Sequence, residues 1–190
     1  YLLFERSSEI KHEYVNGEIY AMSGASEHHN IIVSNLIAGI HPQLRKPPCR
    51  IYPSDMRVLT PFSRTYSYPD VTIICGKPVL IDSYGDVLLN PTVIFEVLSP
   101  STERYDRGRK FLHYREIESL QEYVLVAQDA PRIERFIRDS EGTWRFSDVS
   151  GLDATLELPS IGCVLALADV YETVTFEADE SPTIDDNTQG

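Results

Sequence analysis

Short strand-like runs and one long amphipathic stretch make up the N-terminal part of the chain. Asn16-Gly17 separates two runs rich in β-branched and aromatic residues, which is the pattern of a two-residue β-hairpin. From Ser26, apolar residues recur at near-helical spacing until Pro42. We therefore expect a helix that begins at a Ser26 cap, preceded by the hairpin and by a short helical segment over residues 1–6.

The middle of the chain has the pattern of a sheet interior. Residues 47–60 and 66–75 have the composition of two strands. Residues 92–98 form an almost continuous apolar run, of the kind found in strands that are covered on both faces. We expect this third strand to lie at the centre of the sheet.

A helix, a strand and a second hairpin follow. Ser101 or Thr102 can cap a helix that extends to about Ile117. Residues 122–127 form a strand pattern, and residues 132–146 form a hairpin pattern around a polar turn. The sequence thus predicts an α/β sandwich in which helices flank a central mixed β-sheet, with an N-terminal and a C-terminal β-hairpin.

The composition fits one globular domain. The hydrophobic fraction of 42% excludes a disordered chain, and 190 residues are enough to bury a single core. We assign residues 1–174 to this domain and residues 175–190 to an acidic polar C-terminal tail. No apolar run approaches the roughly 18 residues that a membrane helix needs, so we expect no membrane partner.

The cysteines carry no metal or disulfide motif. Cys49, Cys75 and Cys163 are an odd number and include no Cys-x-x-Cys pair. We therefore expect buried, unreactive thiols rather than a disulfide framework or a zinc site. Together with the absence of a recognisable signal peptide, this cysteine usage favours a cytoplasmic location.

The charge distribution is uneven. A formal net charge of −12 repels phosphate backbones on average, but residues 101–115 carry five basic and two acidic side chains. Arg104, Arg107 and Arg109 are the candidate DNA-binding residues in this basic segment. A solvated helix face would have the same composition.

Glu96 is the first candidate for chemistry, because it is an ionisable residue within an apolar strand. A buried carboxylate must be paired, bound to a ligand or protonated. Asp70 stands at the start of another apolar run, and two carboxylates that meet between neighbouring strands attract a hard divalent cation. A turn aspartate beside a Glu96–Arg ion pair would fit the same spacing.

Lys110 adds a cation to these carboxylates. It follows Glu96 by 14 positions, and Asp106, Lys110 and Tyr114 form an i, i+4, i+8 stripe on the predicted helix. A helix that folds back on the sheet would direct this stripe toward the strand ends. The alternative is a surface Asp106–Lys110 ion pair with no chemical role.

These residues carry a resemblance to a known family. Tyr68-Pro69-Asp70, the string EVLSPST from Glu96, and Asp106 with Lys110 resemble the PD-(D/E)XK nuclease superfamily. More closely, the chain looks like the Uma-type restriction endonuclease family, formerly a domain of unknown function, over about residues 1–174. Leu98 stands where the superfamily pattern has its lysine, and Lys110 is the matching position in this family.

The resemblance implies a restriction-endonuclease-like fold and metal-dependent hydrolysis of DNA phosphodiester bonds. Asp70 and Glu96, with the backbone carbonyl of Val97, would hold Mg²⁺ or Mn²⁺, and Lys110 would orient the attacking water or stabilise the transition state. Glu13 could supply a further carboxylate or be a solvated hairpin side chain. The supporting candidates are Asp55 at a sheet edge, His28 at the start of a helix, Asp106 and Tyr114.

Other functions fit the same residues. A non-cleaving nucleic-acid-binding or interaction protein could keep the nuclease scaffold, and a phosphodiesterase acting on RNA or small nucleotides would share every site residue. For the endonuclease we expect a homodimer, since cutting two strands needs two sites.

Overall fold

The structure is a computed structural model that describes residues 1–44 and 48–176. Most of the predicted acidic tail, residues 177–190, lies outside the described residues. The strands are β1 (His12–Val15), β2 (Glu18–Ala21), β3 (Cys49–Pro53), β4 (Arg57–Thr60), β5 (Thr65–Ser67), β6 (Val71–Cys75), β7 (Val87–Leu88), β8 (Val93–Val97), β9 (Glu122–Val126), β10 (Arg132–Arg138), β11 (Trp144–Ser150), β12 (Thr155–Leu158) and β13 (Cys163–Ala166). The helices are α1 (Leu2–Glu5), α2 (Glu27–Ile40), α3 (Glu103–Tyr105), α4 (Phe111–Tyr114) and α5 (Leu167–Val170), with a 3₁₀ turn at His41–Gln43 and a π turn at Asp106–Lys110.

A six-stranded sheet in the order β11-β10-β9-β8-β6-β3 forms the centre of the fold. Strands β8 and β9 are parallel, whereas the other neighbours in this sheet are antiparallel. The predicted α/β fold with a mixed central sheet is therefore confirmed. The apolar run at 92–98 supplies β8, an interior strand whose five residues are all buried.

A second sheet of five strands, in the order β2-β1-β5-β4-β7, contains the N-terminal hairpin. Asn16 and Gly17 have φ values of 51° and 96°, the left-handed backbone that a two-residue hairpin turn requires. The C-terminal hairpin is formed by β10 and β11. Both predicted hairpins are present, and the antiparallel pairs β4–β5 and β12–β13 have no counterpart among the predicted elements.

The two strands predicted over 47–60 and 66–75 each divide between the two large sheets. The first becomes β3 and β4, and the second becomes β5 and β6. Pro69 lies at the second break, where its missing N–H cannot continue a ladder. This crossing places Asp70 at the junction of the two sheets, directly before β6.

The helix predicted over 101–117 is shorter than expected, and its middle turn is a π turn instead of an α-helical one. It consists of α3, the π turn and α4, and it ends at Tyr114. Thr102, one of the two predicted caps, does occupy the N-cap position, but its side chain makes no capping bond, and the Ser99 hydroxyl accepts the Thr102 N–H at 3.2 Å. The π turn holds Asp106 and Lys110, and both side chains are buried.

The core lies on both faces of the six-stranded sheet. Phe95 and Val97 of β8 face a cluster that includes α2, α5 and the β12–β13 hairpin. Ile94 and Leu98 face the other way, toward Tyr114 and the segment that follows it. Side chains alternate along a strand, so Glu96 shares the second face.

Helix α2 begins as predicted, because the Ser26 hydroxyl accepts the His29 N–H at 3.1 Å. Its buried residues Ile32, Leu36 and Ile40 cover the first face of the sheet. In residues 1–44 and 48–176, no helix is long and apolar enough to cross a membrane.

The expectation that all cysteines are free thiols is wrong. Cys49 in β3 and Cys75 in β6 are directly paired across the antiparallel ladder and form a disulfide. Spacing in the sequence gave no sign of this bond, since it depends on the register of two strands that pair over 26 positions. Cys163 is a free, buried cysteine, as expected.

Candidate active site

Adjacent strands bring Asp70 and Glu96 together. Val71 pairs with Phe95 in the β6–β8 ladder, so Asp70 lies beside the end of β8 that carries Glu96 and Val97. The Asp70 Oδ2 atom accepts the Val97 N–H at 2.7 Å, which fixes this carboxylate against the neighbouring backbone. Glu96 is only 3% exposed.

Lys110 joins these carboxylates from the π turn. Its Nζ atom lies 2.9 Å from Glu96 Oε1, 3.4 Å from Glu13 Oε1 and 3.5 Å from Asp106 Oδ1. We call Glu13, Asp70, Glu96, Asp106 and Lys110 the acid–lysine cluster. It contains four carboxyl groups and one ammonium group, so with all of them ionised its charge is strongly negative.

Glu13 enters the cluster from the other sheet. It lies on β1, and its Oε1 atom accepts the Tyr68 N–H at 3.3 Å just before the crossing at Pro69. Its side chain is 13% exposed, so it is not the solvated hairpin glutamate of the alternative interpretation. The cluster is thus built by both sheets and by the π turn.

Burial and charge change the proton affinities in the cluster. Burial raises the pKa of Glu96 well above its usual value, and the charges of Asp70 and Asp106 add to this, although Lys110 opposes it. Burial likewise raises the pKa of Asp106. For Lys110, burial acts to lower the pKa, but Glu13, Glu96 and Asp106 outweigh it and raise the value well above the ordinary one. The lysine is therefore charged, whereas ionising all four carboxyl groups would leave more negative charge than the lysine balances, so burial favours the neutral acid at Glu96 and Asp106.

Two buried tyrosines support the cluster. The Tyr114 hydroxyl donates to Glu96 Oε1 at 2.9 Å and lies 2.9 Å from the Ser67 hydroxyl. The Tyr123 hydroxyl donates to the Asp106 carbonyl at 3.0 Å, which fixes the π turn. Tyr114 and Asp106, expected as supporting residues, both lie within the cluster or in contact with it.

His29 is a site residue that sequence reasoning missed. Its Nε2 atom lies 3.1 Å from Asp70 Oδ1, so Asp70 contacts a histidine through one oxygen and the Val97 N–H through the other. The sequence pointed to His28 instead. The helical periodicity held a usable signal, because His29 precedes Leu36 by seven residues and falls near the centre of the buried face of α2.

Asp55 and His28 do not take part in the cluster. Asp55 is 81% exposed at the turn between β3 and β4 and forms an ion pair with Lys11 at 2.5 Å, so it lies outside the cluster. His28 is half-buried at the start of α2, next to the histidine that contacts Asp70.

The three candidate DNA-binding arginines differ in their surroundings. Arg104 and Arg109 are exposed on the helical segment. Arg107 forms ion pairs with Glu103, at 2.8 Å, and with the buried Glu134. Only Arg104 and Arg109 are therefore free to meet a phosphate without breaking these ion pairs.

The donor set fits a partly hydrated hard cation. In the part of the chain that the structure describes, no three His, Cys, Asp or Glu side chains converge closely enough to enclose an ion by themselves. Mg²⁺ is typically held by one or two carboxylates and keeps several waters. Asp70 and Glu96 supply carboxyl groups of that number and kind, in a cluster with four carboxyl groups and one ammonium group. Val97, whose carbonyl is the expected third ligand, is buried beside them and donates its N–H to Asp70.

Comparisons with known proteins agree with the resemblance seen in the sequence. Residues 1–168 match the family model described as Uma2, putative restriction endonuclease. An uncharacterized protein of Synechocystis sp. is 35% identical over 180 residues, which cover 93% of this chain and 91% of the relative. A second uncharacterized protein of that organism is 35% identical over 157 residues, covering 83% and 89%.

A solved structure supports the fold. The crystal structure of a putative nuclease belonging to DUF820 from Anabaena variabilis matches with a TM-score of 0.73 and 19% identity, covering 90% of this chain and 94% of that one. The fold is therefore restriction-endonuclease-like, and with the match over residues 1–168 the chain belongs to the Uma2 family of putative restriction endonucleases.

Proposed function

We propose that this protein is a metal-dependent endonuclease that hydrolyses DNA phosphodiester bonds. Membership of a restriction endonuclease family supports a nuclease. The single observation behind the finer assignment is the buried Lys110 ammonium, which contacts Glu13, Glu96 and Asp106 beside Asp70. A divalent ion held by carboxylates can supply the attacking water, and an ammonium group beside it can stabilise the charge that develops on the phosphate.

Asp70 and Glu96 would hold Mg²⁺ or Mn²⁺ in this proposal. When bound, the ion would supply an activated water and neutralise charge on the attacked phosphate. The contacts of Asp70 with the Val97 N–H and His29 orient its carboxylate, and the Tyr114 hydroxyl orients that of Glu96. These partners fix the positions of both carboxylates before a ligand arrives, which reduces the cost of binding.

Lys110 would act as a hydrogen-bond donor and not as a base. Its raised pKa keeps the ammonium charged at neutral pH. A charged ammonium can orient the attacking water or stabilise negative charge that develops on the phosphate. The contacts of Lys110 with three carboxylates hold its Nζ atom in place for either role.

DNA is the proposed partner, and Arg104 and Arg109 are the proposed phosphate contacts. The formal charge of −12 opposes DNA binding elsewhere, so affinity should be weak and strongly dependent on salt. We also propose a homodimer, because cleavage of both strands needs two sites, and a cytoplasmic location, where DNA is accessible. In a reducing cytoplasm the Cys49–Cys75 bond would be open to reduction.

Plasmid nicking in Mg²⁺ or Mn²⁺ tests the proposal. We expect the unchanged protein to nick supercoiled DNA and to lose this activity in EDTA. Lys110→Ala and Asp70→Ala should each lower the rate at least 100-fold. Lys11→Ala removes a surface lysine that pairs with Asp55, and it should leave the rate unchanged.

Other results would reject the endonuclease. Equal nicking by the unchanged protein and both site variants would mean that the cluster does not carry the activity. DNA binding without any cleavage would favour the non-cleaving binding protein. Cleavage of single-stranded RNA but not of DNA, run as a parallel arm, would favour the RNA phosphodiesterase.

A further inference from the structure

The Tyr105 hydroxyl is buried without a partner. Within residues 1–44 and 48–176, no atom forms a hydrogen bond with it. A buried hydroxyl normally finds a partner, because leaving it unbonded forfeits the hydrogen bonds it would make in water. Tyr105 directly precedes Asp106, so its backbone lies at the edge of the acid–lysine cluster.

The charges of the cluster act on this hydroxyl. Burial, with the carboxylates of Glu13, Asp106 and Glu96, raises the pKa of Tyr105 to about 12, and Lys110 only partly opposes them. At neutral pH the group is therefore an O–H that can both donate and accept. The carboxyl groups that act on it include that of Glu96, one of the two residues of the proposed metal site.

The neighbouring tyrosines make the missing partner informative. Tyr114 donates to Glu96, Tyr123 donates to the Asp106 carbonyl, and Tyr68 donates to Glu5. Each of these hydroxyls has an acceptor in the protein, whereas Tyr105 has none in the described residues. A small polar molecule that bonds to the hydroxyl would account for the difference.

We propose that Tyr105 is a positioning residue whose hydroxyl hydrogen-bonds a water molecule in the hydration shell of the divalent ion that Asp70 and Glu96 would hold. The assignment rests on the metal site of the proposed function. Mg²⁺ keeps several of its waters when one or two carboxylates bind it, and those waters need polar partners in the protein. The hydroxyl oxygen is closed to bulk solvent, which suits a single enclosed water rather than a DNA phosphate.

Calorimetric titration with Mn²⁺ alone tests this water contact. In Tyr105→Phe we expect the dissociation constant to rise about threefold to tenfold, the effect of losing one neutral hydrogen bond. The melting temperature of the metal-free variant should be unchanged or higher, because the substitution removes a buried group that has no partner. Tyr84→Phe changes a 74% exposed tyrosine and serves as the matched control, with both values unchanged. An unchanged Mn²⁺ affinity in Tyr105→Phe would overturn the assignment.

A second measurement reports on the hydroxyl without reference to cleavage. In protein labelled with ¹³C at the tyrosine Cζ position, the Tyr105 signal is the one absent from Tyr105→Phe. We expect this signal to shift saturably as Mg²⁺ is added. Binding of Mg²⁺ with no shift of the Tyr105 signal would overturn the assignment, and so would the absence of any Mg²⁺ or Mn²⁺ binding.

The two proposals fail in different ways. If the ions bind and Tyr105 responds but no nucleic acid is cleaved, the endonuclease is rejected and the Tyr105 assignment stands. If DNA is cleaved at the cluster but Tyr105→Phe binds Mn²⁺ as the unchanged protein does, the endonuclease stands and the Tyr105 assignment is rejected.

Discussion

Lys110 Nζ lies 2.9 Å from Glu96 Oε1, and neither side chain is more than 8% exposed. Burying an ion pair gains little stability over well-packed apolar residues, because both groups lose their hydration. One carboxylate, that of Glu96, is enough to balance the charge of Lys110. Three further carboxyl groups, those of Glu13, Asp70 and Asp106, lie in the same cluster. The excess of acid is therefore a cost to folding, which a bound cation would remove.

That cost should appear in the pH dependence of stability. Burial raises the pKa of Glu96 well above 4.5, so at higher pH the folded protein keeps a proton that the unfolded chain releases. The free energy of unfolding should then fall as the pH rises from about 4.5 toward the raised value, by at most about 1.4 kcal/mol per pH unit. In Glu96→Gln this contribution disappears, and the contributions of Asp106 and Glu122, whose pKa values burial also raises, should remain.

Urea unfolding in EDTA between pH 5 and 8 measures the difference. Glu157→Gln, on an exposed glutamate of β12, is the control and should follow the unchanged protein. Saturating Mn²⁺ should flatten the curve of the unchanged protein more than that of Glu96→Gln. Parallel curves for the unchanged protein and Glu96→Gln would show that Glu96 titrates normally.

Local sequence signals predicted the local structure well. Asn16-Gly17 gives the hairpin because few other residues adopt the positive φ of both turn positions, and Ser26 begins α2 because its hydroxyl accepts an N–H of the first turn. The apolar run around Glu96 identified an interior strand. Each of these features depends on neighbouring residues only.

Features that depend on distant pairing were missed. Strand periodicity does not say which sheet a strand joins, so the division at Pro69 was not predicted. The contact of Glu13 with Lys110 joins residues 97 positions apart, and the Cys49–Cys75 bond depends on strand register. His29 is a different case, because the helical periodicity of α2 already places it on the buried face that contains Leu36.

The Cys49–Cys75 disulfide determines how many free thiols the protein has before and after reduction. Oxidised protein should show one thiol, Cys163, and only after unfolding, because that side chain is buried. Reduction should expose three thiols in the unfolded chain and lower the free energy of unfolding by about 2–4 kcal/mol, as for a cross-link over 26 positions. Thiol titration with and without denaturant, and urea unfolding with and without reductant, check both points. Cys49→Ser/Cys75→Ser should be insensitive to reductant, and three reactive thiols in the oxidised protein would contradict the bond.

The three arginines of the helical segment should differ in how much each contributes to the salt dependence of DNA binding. Removing one phosphate contact lowers the slope of log affinity against log salt by about one. We expect this change in Arg104→Ala and Arg109→Ala, whose side chains are exposed. Arg107→Ala should leave the slope near that of the unchanged protein, because Arg107 is held by Glu103 and Glu134.

Fluorescence anisotropy with a labelled duplex in EDTA, over a range of salt concentrations, gives the slopes. Arg107→Ala should instead lower the melting temperature, because the buried carboxylate of Glu134 would keep only its ion pair with Arg132. If Arg107→Ala changes the slope as much as Arg104→Ala and Arg109→Ala do, the ion pairs of Arg107 open on binding and all three arginines contact DNA.

His29 and His28 form a natural pair for a controlled experiment. They are adjacent in the first turn of α2, but only His29 has its ring nitrogen within 3.1 Å of Asp70. Residues that orient a metal-binding carboxylate typically change affinity or activity 10-fold to 100-fold when they are removed. We therefore expect His29→Ala to lower the rate of plasmid nicking by about that factor, with a matching rise in the Mn²⁺ dissociation constant.

His28→Ala should leave both values unchanged, and His29→Gln, which keeps a hydrogen-bond donor, should recover part of the loss. Melting temperatures in EDTA check that each variant folds, so that a loss of activity reports on Asp70 and not on α2. Equal losses in His28→Ala and His29→Ala would mean that the start of α2, rather than the contact with Asp70, determines the effect. A normal rate in His29→Ala would show that the Val97 N–H alone orients the Asp70 carboxylate, because this is the other contact that the structure gives to it.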